Sequence, residues 1–296
     1  MVAHAALDYR QINMTVSRGR QQWHADIAMS DAAQKMRDAK SLTEPYEGPI
    51  DLTLYVSCYN ESAYIVETLD TVRAALREVG LSYELLIIDD GSRDNSVELI
   101  RDYIACHPDE KIVLRVNHFN KGLAQNYIDG AFLGKGKYYR LVCGDHSELK
   151  ESTVKVLSAV GQADMIVPYY TSAEGKGVRR EIISKSYTAL INFITGHRLH
   201  YYNGLPVHLR YNVMRYHPNT RGFGFQAELL CLLLDLGFSH QEVAMVVVER
   251  RVGRSNALTL RNLISVAHTV VEIVSRRLSR YVYGEYRATR RAQTPE

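Results

Sequence analysis

At 296 residues, 46% apolar and 23% charged, the chain is long enough for one large core plus an appendage and has the composition of an ordinary globular protein. Its 36 lysines and arginines against 33 acids leave a net charge of +3, too small to argue for nucleic acid as a partner. Cys58, Cys106, Cys143 and Cys231 are scattered and form no C-x-x-C pair, which speaks against a metal finger or a disulfide framework and for a reducing, cytoplasmic setting. Residues 1–49 contain no apolar h-region, and no run reaches 18 uncharged apolar residues, so neither a secretory signal nor a membrane span is expected.

Residues 1–48 are polar and basic and read as an extension, with one helix near 32–39 and a closing Glu-Pro-Tyr-Glu-Gly-Pro linker. From there to about residue 170 strand and helix patterns alternate. An apolar strand at 52–56 precedes a helix at 62–79, where Ile65, Leu69, Val72, Leu76 and Val79 recur at helical spacing and Gly80 ends it. Strand 84–88, helix 95–105, strand 112–115, helix 122–134, strand 138–143, helix 151–160 and strand 164–168 follow. Such alternation predicts a mostly parallel, Rossmann-like sheet flanked by helices. Further on come an apolar helix at 178–196, a loop rich in His, Tyr and Asn, a helix at 225–236, a strand at 243–248, a glycine-serine loop at 250–257 and an amphipathic helix at 259–283. The expected division is thus an extension (1–48), an α/β domain (49–258) and a C-terminal helix with a basic tail (259–296).

Three of the strands end in polar, carboxylate-bearing turns: Ser57-Cys58-Tyr59-Asn60-Glu61, Asp89-Asp90-Gly91-Ser92-Arg93-Asp94 and Gly144-Asp145-His146-Ser147-Glu148. Open α/β sheets build ligand crevices at such strand ends. Glu61, Asp89, Asp90 and Asp145 would line one edge, where a divalent cation with a diphosphate would offset their charge. Tyr59, Glu61 and Asp89 can offer a nucleotide base a flat surface and an acceptor, although Tyr59 also suits a core and Glu61 a helix cap. The Asp-Asp-Gly-Ser run equally suits a turn. The absence of G-x-G-x-x-G after the first strand sets a dinucleotide dehydrogenase aside.

In order and spacing, Tyr59-Asn60-Glu61, Asp89-Asp90-Gly91-Ser92-x-Asp94, Asn120-Lys121-Gly122 and Gly144-Asp145 resemble the motifs of family-2 inverting glycosyltransferases with a GT-A fold. Glu242-Val243 followed by Arg250, Gly253 and Ser255 is similar to the E-V-P…R-x-x-G-x-S-K signature of polyprenyl-phosphate hexosyltransferases, the dolichyl-phosphate mannose synthase-like branch. Arg180-x-x-x-Ser184 and Gly224-Phe225-Gln226-Ala227-Glu228 fit that branch too, so the resemblance covers roughly residues 50–258. It implies transfer of a hexose-type sugar from a nucleotide-diphosphate donor to a polyprenyl phosphate. Ser57, Tyr59, Glu61, Asp89, Asp90, Lys121, Gly144 and Ser255 would bind the donor. Asp145, with Ser147 or else Glu148, would hold Mg²⁺ or Mn²⁺, and Arg250 would act on the departing phosphate. Arg179 and Arg180 would hold an acceptor phosphate, which needs no strong general base.

The sequence departs from that pattern at Cys143, where the first Asp of D-x-D is expected, and at Asn256, where a lysine is expected. Two other functions stay open: a transferase acting on a small-molecule or saccharide hydroxyl with Glu228 as base, and a nucleotide-sugar-binding protein without turnover. His197, His200, His208 and His217 show no metal spacing and read as structural. Six arginines between Arg276 and Arg291 against Glu285 make the C-terminal helix basic as well as amphipathic. It can lie on an anionic membrane surface, at the inner face of a membrane, or pack on the domain or a second subunit of a homo-oligomer.

Overall fold

Strands that bury both faces need apolar residues at every position, and the first strand alternates Leu52, Leu54 and Val56 on one face with Tyr55 on the other, all fully buried. The computed structural model describes residues 50–174, 178–220, 222, 224–248 and 260–283, side chains at 172–174, 178–180 and 260–263 excepted. All of these belong to the unit Gly48–Glu296. The N-terminal extension, the loop carrying Arg250 and Ser255, and the tail beyond residue 283 lie outside the described residues.

Among the described residues seven strands form one sheet, β1 (Leu52–Cys58), β2 (Tyr83–Asp89), β3 (Ile112–Val116), β4 (Tyr138–Cys143), β5 (Met165–Glu174), β6 (Val207–Leu209) and β7 (His240–Val248). Their order is β3-β2-β1-β4-β6-β5-β7. The first four pair in parallel, β6 runs antiparallel between β4 and β5, and β7 is parallel to β5. One face is covered by α1 (Ile65–Val79), α2 (Ser96–Cys106) and α4 (Lys150–Leu157). The other is covered by α3 (Leu123–Leu133), α5 (Val178–Thr195), α6 (Arg210–Arg215), α7 (Phe225–Asp235) and α8 (Leu260–Val282).

Among the described residues the expected elements are present, with instructive differences, while the helix expected near 32–39 lies outside them. The first helix starts at Ile65 rather than 62, because the Glu61 carbonyl already accepts the N–H groups of both Tyr64 and Ile65 and forms a turn first. Gly80 closes it at φ 76°, its N–H on the Leu76 carbonyl. The fifth strand runs on to Glu174, and the seventh begins at His240 because β5 supplies it a partner along its whole length. Strand β6 and helix α6 fall inside the stretch read as a loop, being too short to show a period.

Candidate active site

Strand register sets the site. Cys58 lies opposite Asp89, Asp89 opposite Val116, and Ser57 opposite Cys143, so the polar turns after β1, β2, β3 and β4 leave the sheet at one level. Gly144 must be glycine here: its N–H donates to the Ser57 carbonyl at 2.9 Å, and a Cβ would stand 2.5 Å from that oxygen. Two non-glycine residues with left-handed backbone, Asn60 (φ 56°) and His146 (φ 51°), lie in these turns.

The paired aspartates bind the turns to one another. Asp89 is fully buried and accepts from the N–H groups of Gly91 and Ser92 at 3.1 and 3.0 Å and from the Ser92 hydroxyl. Asp90 is buried as well and accepts from Asn117 Nδ2 (2.9 Å), Lys121 N (2.8 Å) and Gly122 N (2.9 Å), tying the β3 exit to the β2 exit. Their carboxylate oxygens are therefore met by protein N–H and O–H donors. Asp94 joins the β1 and β2 turns through Ser62 N (3.0 Å) and Ser96. Burial alone would raise its pKa, but hydrogen bonds from Ser96 and Ser62 outweigh burial and hold the carboxyl below its usual range.

Asp145 is half-buried on the β4 exit turn, its Oδ1 accepting from the Ser147 hydroxyl at 2.7 Å. The turn is pinned to α1, where Thr68 Oγ1 accepts the His146 N–H at 3.0 Å and Thr71 Oγ1 meets the His146 ring at 3.0 Å. It is pinned to β7 by the Val248 N–H donating to the Ser147 carbonyl at 3.0 Å. Tyr59, the residue after β1, is 44% exposed, so it does not pack in the core. Glu61 and Ser57 are half-buried beside it, and Lys121 pairs with Asp129 at 3.0 Å.

No group of three or more His, Cys, Asp or Glu side chains converges on a metal position among the described residues. A single carboxylate is nevertheless a fitting anchor for Mg²⁺ or Mn²⁺, because such hard cations draw remaining oxygens from phosphates and water.

Glu228 is elsewhere in character. It is 1% exposed and accepts the N–H groups of Asn219 and Thr220 at 3.0 and 2.9 Å, with Arg276 at 2.8 Å. Arg179 and Arg180 lie in the first turn of α5, their side chains outside the described residues. The histidines take separate partners: His197 faces Asp235 (2.8 Å), His200 faces Glu242 (2.8 Å) and stacks on Tyr169, and His208 is enclosed. Glu148, the alternative to Ser147 for a metal shell, is buried and paired with Arg140 at 2.8 Å behind the Asp145 turn, a pairing that sequence reasoning missed. An arginine inside the apolar run of β4 was the available signal.

A sheet of this order, with turns of four parallel strands meeting at one edge, defines a GT-A type transferase domain. Residues 53–216 match Glycosyl transferase family 2, and the chain belongs to that family. It is 34% identical over 107 residues to a dolichyl-phosphate β-glucosyltransferase of Dictyostelium discoideum, covering 33% of each chain. It is 44% identical over 59 residues to an undecaprenyl-phosphate 4-deoxy-4-formamido-L-arabinose transferase of Pseudomonas paraeruginosa, 20% of this chain and 17% of that one. The chain thus spans a third or less of the length of these two relatives. Its fold is similar to that of glucosyl-3-phosphoglycerate synthase from Mycobacterium tuberculosis (TM-score 0.57, 18% identity, 77% and 80% of the two chains). A mannosyltransferase from Pyrobaculum calidifontis, solved with GDP-Man and Mn²⁺, shares the fold as well (TM-score 0.55, 16% identity, 86% and 74%).

Proposed function

We propose that this chain is an inverting glycosyltransferase that moves a hexose-type sugar from a nucleoside-diphosphate donor to a polyprenyl phosphate. The observation that carries the reading is the half-buried Asp145 on a turn pinned to α1 and β7, at the level where the β1 and β2 turns also end. Two relatives named as dolichyl- and undecaprenyl-phosphate transferases support the acceptor class.

The exposed ring of Tyr59 stacks on the base, Ser57 and Glu61 face the nucleoside, and Asp89 and Asp90 shape the floor rather than touch a metal. Asp145 and Ser147 hold Mg²⁺ or Mn²⁺, which when bound neutralises the diphosphate and eases its departure. Arg250 and Ser255, on the loop after β7, close on the phosphates, and Arg179 and Arg180 at the start of α5 receive the acceptor phosphate. The acceptor arrives ionised, so the chain supplies position and electrostatics rather than a base. Glu228, enclosed and bound by two N–H groups and an arginine, we read as an anchor.

The lipid acceptor has a surface to match. The outward faces of α5 (Ile182, Ile183, Leu190, Phe193) and α8 (Ile264, Val271, Val274, Leu278) are exposed and apolar, and we place them against a bilayer. Among the described residues no helix is long and apolar enough to cross one.

The test is a thermal-shift panel of nucleoside diphosphates with Mn²⁺ or Mg²⁺, followed by product detection with undecaprenyl or dolichyl phosphate. Stabilisation by one nucleotide, lost in Asp145→Ala, is expected. No response to any nucleotide would sink the reading.

A further inference from the structure

Arg140 and Glu148 form, among the described residues, the only ion pair with both side chains buried, at 0% and 5% exposure and 2.8 Å apart. Burying two charges is expensive, and such a pair is weak evidence for a gain in stability. This one also leaves Arg140 Nη1 and Glu148 Oε1 without a hydrogen-bond partner among the described residues, which adds to the cost. Its location suggests what the cost supports.

Arg140 lies in β4, three residues before the Cys143–Ser147 turn, and Glu148 closes that turn. Glu148 also forms an isolated bridge with Val247, and its Oε2 accepts from Thr153 Oγ1 at 3.4 Å. Arg140 Nε donates to the Leu205 carbonyl at 3.4 Å, in the loop that fills the gap between β4 and β5. Ser152 exchanges two bonds with Val246, at 2.8 and 3.0 Å. The turn bearing Asp145 is therefore held from below by β4 and from the side by β7, whose last residue Val248 stands two residues before Arg250 in sequence.

We propose that Arg140 and Glu148 are positioning residues: their pairing clamps residues 144–148 between β4 and β7, so that Asp145 meets the metal-diphosphate in a fixed place. Neither side chain touches the ligand. The proposal rests on the reading of Asp145 as the donor-site carboxylate. A guanidinium suits the task because its planar fork can bond the carboxylate and the Leu205 carbonyl at once.

The test is the double substitution Arg140→Met with Glu148→Leu in the full chain, which removes both charges and fills their space, a change buried pairs tolerate. Two quantities are compared with wild type: hydrogen exchange at the amides of 144–148 and 246–248, and calorimetric affinity for UDP and for GDP with Mn²⁺. With Tm held within about 3 °C, exchange in both segments accelerates and nucleotide affinity weakens about tenfold, as for other residues that orient a metal ligand. Wild-type exchange and wild-type affinity in the double variant would overturn the proposal. Should that variant not fold, Glu148→Gln is read by the same two measurements, with the same outcomes expected. Failure of the wild type to bind either nucleotide counts against the donor-site reading alone, since the exchange comparison still decides whether the pair holds the turn.

Discussion

His208 lies in β6 opposite Tyr139 of β4 and Met165 of β5, with its imidazole fully enclosed. Burial pushes its pKa down to about 3, because the charged ring would lose its hydration there. The folded protein therefore carries this ring neutral while the unfolded chain takes up a proton below about pH 6.5. Since the unfolded state binds more protons there, stability falls as pH drops from about 6.5 toward 3, by about 2 kcal/mol at pH 5. His208→Met should flatten the Tm difference between pH 7.5 and pH 5, and an unchanged difference would count against this role. His208 was legible only as one of four scattered histidines, because nothing local says that a three-residue strand will enclose it. Asp89 and Asp90 teach the same lesson from the other side. Their motif was plain in the sequence, yet the donors that satisfy Asp90 come from Asn117, Lys121 and Gly122, some thirty residues away.

Elements differed in how much of themselves they announced. Helix α1 and the strands β1, β2 and β4 carry long apolar periods, and their places followed from those periods alone. The segment 200–215 carries none, and its structure comes from the space left between β4 and β5. Gly204 shows how tight that space is: a Cβ there would stand 1.8 Å from the Pro168 carbonyl oxygen of β5. Backbone cannot yield as a side chain tip can, so Gly204→Ala should cost about 3 kcal/mol and displace the loop that meets Arg140. Urea denaturation checks it, and a loss below about 0.5 kcal/mol would mean the loop moves freely. Leu205 next to it is held at φ 55°, an uncommon backbone for a leucine, which the neighbouring packing must enforce.

At the scale of the whole molecule, α8 packs on the domain, one of the placements its sequence left open. Its arginines were read as a basic face for anionic lipid, but the three that are described turn inward: Arg276 pairs with Glu228 at 2.8 Å, Arg277 with Asp235 at 3.4 Å and with the Ile194 carbonyl, and Arg280 is 7% exposed. The helix approaches so closely that a Cβ on Gly224 would meet Thr269 Oγ1 at 1.9 Å. What faces outward is the apolar row Ile264, Val271, Val274 and Leu278. If that row meets a bilayer, Leu278→Glu with Val271→Glu should abolish co-sedimentation with vesicles and leave nucleotide binding in solution intact. Retained co-sedimentation in the double variant would refute the placement.

The sequence by itself determined the parallel α/β half from Leu52 to Cys143, the family and the carboxylate-tipped turns, because periodicity and turn chemistry are local properties. Tertiary structure alone decided which donors reach each carboxylate. Asp89, Asp90 and Glu228 are buried and met by backbone donors or an arginine, while Asp145 is half-buried on the β4 exit turn and accepts from the Ser147 hydroxyl. A carboxylate's role depends on which donors reach it, and those donors are brought by strand register and helix packing from distant parts of the chain.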